Sequence, residues 1–550
     1  MLTSTPTDVA SQAAPRPLGA GERKETHLLL PADILEKVSH TNKDNIAVSI
    51  DGRKQTYGQM FERACRLSNA LRALGVEPGE RVATLMDNCY ETVEIIAGTA
   101  LGNYPRATLY SYFPPATNAY LLSLVGASVL IVDQKYYAGL REHLGKVSTL
   151  RHVVIVDDGF HGEETIRYED LIGSASEEYR RVEASPDDVH IIRFSSGTTG
   201  LPKGISHSIR RWMESSAEYR WVTPMMDEKT RYLVPGSIAH VAGSLVWGVL
   251  SVGGTFVLMR SFNACKALDL IEQERITYVA LVPVMIKEML ESPDVDQRDL
   301  SSLECIFYAG SPISPATLRR AIAVFGNVLY QLYAQSELIP VTMLTPNQQQ
   351  PDGDAAAQNR LRSVGRATPN VLLTIRDDQG NVLPNGETGE VAAIAPGAMS
   401  GIWGDEVATK ERILDDGSVL TGDVGVLDED GYLFLLDRKN DMIISGGYNI
   451  WPAELEQALE SHPQVAEACV VGIPHEKWGE TPHAAVVLRE SGALSESEVM
   501  AYVRELVGPV KKLTSVEFVR ELPRSAVGKI QRHRVRDPFW AAQSGRIRGV

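Results

Sequence analysis

The chain has 550 residues, which is too long for a single hydrophobic core and predicts two or more domains. Its content of 44% hydrophobic and 23% charged residues is ordinary for a soluble globular protein. The formal net charge of −16 argues against nucleic acid as a partner, because nucleic-acid binding requires a basic surface. A local basic site for an anionic ligand remains compatible with that charge.

Composition also bears on the N-terminal residues and on the cysteines. Residues 1–24 are rich in Ser, Thr, Ala and Pro, show no basic-then-apolar signal peptide, and are predicted to form a disordered tail. The cysteines have no C-x-x-C spacing, which predicts reduced thiols in a cytoplasmic protein without a metal site of their own. They are Cys65, Cys89, Cys265, Cys305 and Cys469.

The first ordered elements alternate between helix and strand. Residues 56–59 (Thr-Tyr-Gly-Gln) form a capping-box pattern, and a helical apolar stripe follows until Gly75. Residues 82–86 then predict a strand, and residues 91–101 predict a second helix.

Short unbroken apolar runs recur between helical patterns. They cover residues 129–132, 153–156, 255–258 and 278–282. Such runs predict parallel strands that are buried on both faces, and the alternation with helices predicts an α/β fold.

Residues 194–204 read Phe-Ser-Ser-Gly-Thr-Thr-Gly-Leu-Pro-Lys-Gly, directly after a predicted strand at 189–194. Hydroxyl and backbone N–H donors in such a loop can converge on one anion, and its glycines (including Gly204) permit close approach and positive φ. A strand that feeds a glycine-rich turn is a place where α/β sheets bind phosphate. A solvated linker is the alternative interpretation. The candidate phosphate-binding residues are Ser195, Ser196, Gly197, Thr198, Thr199, Gly200 and Lys203.

The segment 237–259 contains no Asp, Glu, Lys or Arg and is long enough to span a membrane. His240 and four glycines interrupt it, which favours a buried helix, a glycine turn and a buried strand instead. We therefore expect no membrane span.

The second half of the chain changes its pattern. The Gln-rich residues 347–358 predict a surface loop, and residues 371–437 predict an antiparallel subdomain with turns at 377–381 and 384–386. A final α+β segment has a predicted helix that begins at 451–454, strands near 466–473 and 483–488, and a helix at 495–506.

Several further polar motifs accompany the 194–204 loop in a fixed order. They are Ala309-Gly310-Ser311-Pro312, Tyr333-Ala334-Gln335-Ser336-Glu337, Thr421-Gly422-Asp423, Asp437-Arg438-Lys439-Asn440, Ser445-Gly446-Gly447-Tyr448 and Pro523-Arg524-Ser525-Ala526-Val527-Gly528-Lys529. Together with the loop, this set resembles the adenylate-forming superfamily of acyl-CoA synthetases, peptide-synthetase adenylation domains and beetle luciferases. The resemblance covers about residues 30–535 and is strongest to an acyl-CoA synthetase.

The resemblance implies a fold and a domain division. A large N-terminal AMP-binding domain (25–437) would hold mostly parallel, helix-flanked sheets and a small β-barrel-like subdomain at 371–437. A smaller mobile α+β domain (438–550) would follow. The hinge would be Asn440, where the family usually has Asp or Lys.

The resemblance also implies ATP, Mg²⁺ and coenzyme A as ligands. Glu337 would bind Mg²⁺, Tyr333 would stack on adenine, Asp423 would accept hydrogen bonds from the ribose, and Lys529 would be the catalytic lysine of the mobile domain. The family pattern adds Gly310, Ser311, Ser336 and Arg438 to the nucleotide site and Ser445, Gly446, Gly447 and Tyr448 to a coenzyme A tunnel.

The acid substrate is predicted from the residues around His240, which would lie beside the reacting carboxylate. Amino-acid-activating relatives carry an Asp there, and its absence predicts an acid without an α-amino group. The expected pocket is apolar and fits a fatty or an aromatic tail. Its residues are His240, Ala242, Gly243, Val246, Ala309 and Ala334.

The predicted function is therefore an ATP-dependent acid–thiol ligase that forms an acyl-AMP and transfers the acyl group to coenzyme A. The alternatives are an acyl-AMP ligase that loads a carrier protein, a non-catalytic nucleotide-binding protein, and a luciferase-like oxygenase. The short segment between Asp423 and Asp437 favours coenzyme A over a carrier protein. Oligomeric state stays open, with a homodimer as one option.

Overall fold

A computed structural model describes most of the chain, and the strands within the described residues form four sheets. The described residues are 29–156, 164–195, 202–310, 313–438, 441–445, 448–475, 477–490, 494–508, 511–524 and 530–541. The predicted tail at 1–24 lies outside them. The strands are β1 (Ile46–Ile50), β2 (Arg53–Thr56), β3 (Val82–Leu85), β4 (Arg106–Thr108), β5 (Val129–Val132), β6 (His152–Ile155), β7 (Ile166–Arg167), β8 (Val189–Phe194), β9 (Gly204–Ser208), β10 (Arg231–Val234), β11 (Thr255–Leu258), β12 (Tyr278–Leu281), β13 (Cys305–Ala309), β14 (Leu329–Tyr333), β15 (Thr342–Leu344), β16 (Arg366–Ala367), β17 (Leu372–Arg376), β18 (Gly389–Ile394), β19 (Gly401–Ile402), β20 (Val419–Leu427), β21 (Leu433–Arg438), β22 (Ile443–Ser445), β23 (Tyr448–Ile450), β24 (Val465–His475), β25 (Gly479–Leu488) and β26 (Ser515–Phe518).

The helices flank these sheets. The α-helices within the described residues are α1 (Pro31–Thr41), α2 (Tyr57–Ala73), α3 (Thr92–Leu101), α4 (Pro115–Val125), α5 (Gln134–Leu144), α6 (Tyr168–Gly173), α7 (Ile209–Glu218), α8 (Val246–Val252), α9 (Ala264–Gln273), α10 (Pro283–Leu290), α11 (Pro315–Phe325), α12 (Ala355–Arg360), α13 (Glu406–Arg412), α14 (Pro452–Glu460), α15 (Glu496–Val507) and α16 (Arg532–Ala541). Short 3₁₀ helices cover Tyr219–Trp221, Val241–Leu245, Val295–Gln297 and Pro346–Gln348.

The eight-stranded sheet has the order β19-β9-β8-β4-β3-β5-β6-β7 and is parallel from β8 to β7. Its central strands are the apolar runs of the sequence, and β5 is wholly buried. Helix α2 begins at the predicted capping box, where the Thr56 hydroxyl accepts from the Gln59 amide and the Gln59 side chain accepts from the Thr56 amide. The predicted buried parallel strands and helix starts are confirmed here.

The nine-stranded sheet has the order β16-β15-β14-β13-β12-β10-β11-β1-β2. Its strands run parallel from β14 to β1 and antiparallel at both edges. The motifs after β13 and β14 begin at the carboxyl ends of those strands, as the motif after β8 does in the other sheet. Ligands of α/β folds bind at such ends.

The uncharged segment 237–259 is a 3₁₀ helix, helix α8 and strand β11, with a turn at Gly253 whose φ is +76°. Residues of this segment pack in the core between the sheets and the helices. Within the described residues, none of the helices is both long and apolar enough to cross a membrane.

The subdomain predicted at 371–437 contains an antiparallel sheet of order β17-β18-β20-β21. Strands β20 and β21 are joined by a short turn over residues 428–432. The C-terminal segment forms the fourth sheet, β23-β22-β25-β24 with β26 beside β25. Its predicted strands and helices correspond to α14, β24, β25 and α15.

The prediction of a surface loop at 347–358 is correct for the exposure of most of its residues and wrong for the absence of regular structure. The segment contains one turn of 3₁₀ helix and α12, and Gln349 is only 3% exposed. The Gln349 Nε2 donates to the Leu329 and Leu344 carbonyls at 2.7 and 2.8 Å. An amide that satisfies buried carbonyl groups stabilises the sheet edge, which composition cannot reveal.

A buried ion pair joins α2, α3 and α6. Glu94 is fully buried, and its carboxylate accepts from Arg63 Nε at 2.6 Å and Nη2 at 2.8 Å. Gln55 and Tyr168 also donate to it, at 2.6 and 2.9 Å. Arg63 extends the network to Glu169 at 2.6 Å, so one guanidinium neutralises the buried charge.

We expect Arg63→Met to lower the free energy of unfolding by about 3–5 kcal/mol, because Glu94 would remain buried without its cation. The double variant Arg63→Met/Glu94→Leu should recover most of that loss. The control is Arg320→Met, which removes an exposed pair with Asp296 and should shift the denaturation midpoint far less. Urea-denaturation midpoints measure all three, and equal shifts for Arg63→Met and Arg320→Met would contradict the assignment.

Candidate functional site

The base of the 194–204 loop is an antiparallel hairpin. Strand β8 ends at Phe194, which pairs with Gly204 at the start of β9, and the Ser195 amide donates to the Lys203 carbonyl at 3.0 Å. The predicted strand at 189–194 is confirmed. The candidate residues Ser196, Gly197, Thr198, Thr199 and Gly200 lie outside the described residues.

Gly204 corrects one detail of the loop prediction. Its φ is not positive, because the residue belongs to strand β9. A Cβ atom at this position would lie 3.1 Å from the Trp403 Cβ and 3.2 Å from an Ile192 methyl group. The glycine is therefore required by close packing rather than by an unusual backbone angle.

Lys203 is the cation at the mouth of this hairpin. Its side chain is exposed, and its Nζ lies 3.9 Å from the Asp405 carboxylate. An exposed pair at this distance contributes little, so the ammonium can turn towards an anion bound by the loop.

The segment 333–337 follows β14 and is held at three points. The Ser336 carbonyl accepts from His207 Nε2 at 2.8 Å, and the Glu337 carbonyl accepts from the Met399 amide at 2.8 Å. The third point is the Tyr333 hydroxyl, which donates to the Asp423 carboxylate at 2.6 Å. These bonds fix the position of the segment relative to β9 and β20.

Asp423 is the buried carboxylate of the site, 7% exposed on strand β20. Its Oδ2 accepts from Tyr333 and also from Gln335 Nε2 at 2.5 Å. Arg438 is its cross-strand neighbour on β21, which confirms that these two positions lie together. Sequence reasoning missed Gln335, because nothing in its neighbourhood distinguishes it from a solvated amide.

Glu337 lies next to this group and is partly buried. Across the described ranges its carboxylate has no hydrogen bond or ion pair, and no set of three His, Cys, Asp or Glu side chains could hold a metal. Mg²⁺ accepts one protein carboxylate when phosphate oxygens complete its shell. The single carboxylate therefore fits a nucleotide-bound Mg²⁺ and would not form a closed protein cage.

His240 precedes the 3₁₀ helix Val241–Leu245. Its ring stacks on Tyr110, with centroids 4.5 Å apart, and lies 5.7 Å from the Tyr112 ring. A small cavity opens beside it. The cavity is lined by Ile96, Arg106, Thr108, Ile191, Arg193, Trp212, Ile238, Ala239, His240, Gly243 and Val246.

Three of the six residues predicted for the acid pocket line this cavity, and the other three do not. His240, Gly243 and Val246 line the cavity, whereas Ala242, Ala309 and Ala334 pack in or against the neighbouring core. The sequence predicted an apolar pocket, but the cavity wall also contains Arg106 and Arg193. Arg193 within the apolar strand β8 was the sequence signal for a charged group in this cavity, and the prediction did not use it.

Gly310 and the C-terminal motifs complete the set. Gly310 directly follows β13 and has a φ of +99°. Ser445 on β22 pairs with Tyr448 on β23. The 525–529 loop is closed at its base by pairing of Arg524 with Ile530. The candidates Ser311, Asn440, Gly446, Gly447 and Lys529, and the side chains of Arg438 and Tyr448, lie outside the described residues.

Two histidines, the buried His207 and the half-buried His190, support the strands of the site in neutral form. Burial lowers the pKa of His190 to about 3, and the positive charge of Arg106 acts in the same direction. Burial likewise lowers the pKa of His207 to about 4, although its bond to the Ser336 carbonyl opposes the shift. Neutral His207 donates through Nε2, which fixes its tautomer.

We expect acid to destabilise the fold partly through His207. The imidazole takes up a proton near pH 6.5 in the unfolded chain but only near pH 4 in the folded protein. The contribution of His207 to the free energy of unfolding is therefore complete above pH 6.5 and is lost at about 1.4 kcal/mol per pH unit as the pH falls towards 4. His207→Gln keeps a donor for Ser336 and should flatten the unfolding midpoint between pH 6.5 and 4.5. His40→Gln, on an exposed helix end, is the control. An unchanged slope in His207→Gln would contradict the assignment.

Comparisons with known proteins agree with this arrangement. The AMP-binding enzyme family matches residues 35–403, and the AMP-binding enzyme C-terminal domain matches residues 454–529. Medium/long-chain-fatty-acid–CoA ligase FadD8 of Mycobacterium tuberculosis is 32% identical over 91% of this chain and 88% of its own length. Fatty acid–[acyl-carrier-protein] ligase ScoC of Streptomyces coeruleorubidus is 31% identical over 91% of this chain and 95% of its own length.

A solved structure of amide bond synthetase McbA from Marinactinospora thermotolerans superimposes with a TM-score of 0.82. It is 30% identical and covers 92% of this chain and 100% of its own. The matched family spans both the large and the small part of the chain, and the structure places several of its motifs around one buried carboxylate. The chain therefore belongs to the AMP-binding enzyme family, the adenylate-forming superfamily.

Proposed function

We propose that the protein is an ATP-dependent acid–CoA ligase of the acyl-CoA synthetase type. The observation that carries the proposal is the hydrogen bond from Tyr333 to the buried Asp423, on a segment that also holds Glu337 and is bound to His207 of β9, in a chain of this family. The acid lacks an α-amino group, because the residues after His240 include no carboxylate. The similarity to FadD8 supports coenzyme A as the acceptor.

The first half-reaction replaces a poor leaving group. A carboxylate cannot release oxide, so its oxygen attacks the α-phosphorus of ATP, the bond to pyrophosphate breaks, and an acyl-AMP forms. Negative charge builds up on the α-phosphate during this step, and preorganised cations and donors stabilise it. The second half-reaction joins the acyl group to the thiol of coenzyme A and releases AMP.

The described residues divide this work. Asp423, held by Tyr333 and Gln335, accepts hydrogen bonds from the ribose hydroxyls, and Lys203 approaches the phosphates. Glu337 holds Mg²⁺, which when bound neutralises phosphate charge. His240 lines the cavity and orients the reacting carboxylate.

The C-terminal part supplies the remaining groups in this proposal. Residues 438–550 form a mobile domain that turns about Asn440, and residues 25–437 form the AMP-binding domain. Lys529 stabilises the adenylation step, and the 445–448 hairpin lines the coenzyme A tunnel in the second step. The bridge between Arg524 and Ile530 supports this assignment, because it fixes the chain directly after Lys529.

We expect Asp423→Asn to raise the KM for ATP about 10- to 100-fold with a smaller effect on kcat. A buried carboxylate that accepts charge-assisted hydrogen bonds contributes about 1.5–3 kcal/mol, and an amide in its place would direct donors at the Tyr333 hydroxyl. Asp430→Asn, in the exposed β20–β21 turn, is the control. ATP–pyrophosphate exchange measures both variants, and an unchanged KM in Asp423→Asn would contradict the role.

We expect Lys529→Ala to lower ATP–pyrophosphate exchange by about 10²–10³-fold or more. Thioester formation from supplied acyl-AMP should be largely spared, because the lysine acts in the first step only. Lys477→Ala, an exposed lysine of the C-terminal part, is the control. Equal losses in both half-reactions would show that Lys529 does not have this role.

The acceptor and the acid are tested together. Pyrophosphate release is measured across aliphatic and aromatic acids with coenzyme A, with a phosphopantetheinylated carrier protein, or with neither. Faster product formation with coenzyme A supports the proposal, and transfer to the carrier alone would support the activity named for ScoC instead. Absence of release with every acid would favour a non-catalytic nucleotide-binding protein. Cytoplasmic location stays a prediction.

A further inference from the structure

Two arginines lie on one face of the eight-stranded sheet, inside the cavity beside His240. Arg106 on β4 pairs with Ile191 on β8, and Arg193 follows two residues later on the same strand. A register shift between Val189 and Ile191 interrupts the regular pairing just before. The pleat therefore presents both guanidinium groups to the same space.

Both arginines lack a counter-anion within the described part of the chain. Arg193 is only 8% exposed, and neither guanidinium has a hydrogen bond or an ion pair there. Asp87 lies with Arg106 on an adjoining cavity, but its carboxylate is already paired with Lys135 and Tyr136. The aromatic contact nearest to Arg193 is the Trp212 ring, 5.8 Å from its Cζ.

The surroundings add no negative charge. The rest of the cavity wall consists of aliphatic and aromatic side chains, Thr108 and the ring of His240. Burial lowers the pKa of Arg106 to about 10, and the positive charge of Arg193 acts in the same direction. Two adjacent cations in a mostly apolar cavity repel each other and are costly unless an anion joins them.

The position of the arginine pair relates it to the acid substrate. His240 and Val246, assigned above to the acid pocket, share the cavity wall with both arginines. A guanidinium presents a planar fork of donors that matches a carboxylate. We propose that Arg106 and Arg193 bind a second carboxylate of the acid substrate, so that the preferred acid is a dicarboxylic acid. This inference rests on the proposed function.

The test compares matched acids by isothermal titration calorimetry on the full chain. The probes are α,ω-dicarboxylic acids of four to ten carbons, the monocarboxylic acids of equal carbon number, and the pair terephthalate and benzoate. At least one diacid should bind about tenfold or more tighter than its matched monoacid. Equal affinities throughout the series would overturn the proposal.

Variants of the arginine pair identify the origin of the preference. Arg193→Met should bring the ratio of diacid to monoacid affinity close to one, and Arg106→Met is the second variant in case the first does not fold. Arg210→Met removes the same charge from an exposed pair with Asp187 and should keep the ratio. A ratio that survives in both cavity variants would overturn the proposal, because the pair would then serve the reacting carboxylate or a phosphate.

Stability supplies a further readout. Because Arg193→Met removes an unpaired buried cation, its thermal midpoint should equal or exceed that of the parent protein. Addition of the preferred diacid should raise the midpoint of the parent protein and leave that of the variant unchanged. A large fall in the midpoint of Arg193→Met without ligand would instead show that Arg193 has a structural partner, and it would contradict the proposal.

Exchange assays on the same acids separate this inference from the proposed function. Exchange with monoacids and diacids alike would support the ligase and overturn the anion subsite. Tight binding of a diacid that depends on Arg193, without exchange for any acid, would support the subsite and overturn the ligase.

Discussion

The site depends on one carboxylate oxygen. Asp423 Oδ2 receives hydrogen bonds from both Tyr333 and Gln335, and it thereby joins the antiparallel sheet to the end of β14 in the nine-stranded sheet. His207 joins the eight-stranded sheet to the same segment through the Ser336 carbonyl. Three sheets thus meet at five residues. A buried carboxylate tolerates only good donors, so this junction has little freedom to shift.

Much of the fold follows from local pattern in the sequence. Unbroken apolar runs predicted the buried parallel strands, and the Thr56–Gln59 capping box predicted the start of α2. The turn residues after 371 predicted the antiparallel sheet. These features depend on neighbours within a few residues, which a single sequence contains. The resemblance to a known family added the roles of the motifs, and in the structure the Tyr333 hydroxyl of one motif donates to the Asp423 carboxylate of another.

The features that escaped prediction depend on partners in other elements of the fold. Gln349 was placed on the surface, because the sheet edge that buries it, with carbonyl acceptors at Leu329 and Leu344, forms only in the folded protein. Gln335 reaches a carboxylate 88 residues away. The two arginines share a cavity because β4 and β8 are neighbours, although they are far apart in the chain. Local composition does not indicate which elements will become neighbours in the folded protein.

The arginine pair has a consequence for how such a protein diverges. Each guanidinium weakens the fold while it lacks an anion, so mutational drift favours its replacement by an apolar side chain. A single substitution of either arginine by an apolar side chain would open the cavity to neutral tails and remove a buried positive charge at once. Selection for a diacid bound by the pair would be what keeps arginine at positions 106 and 193.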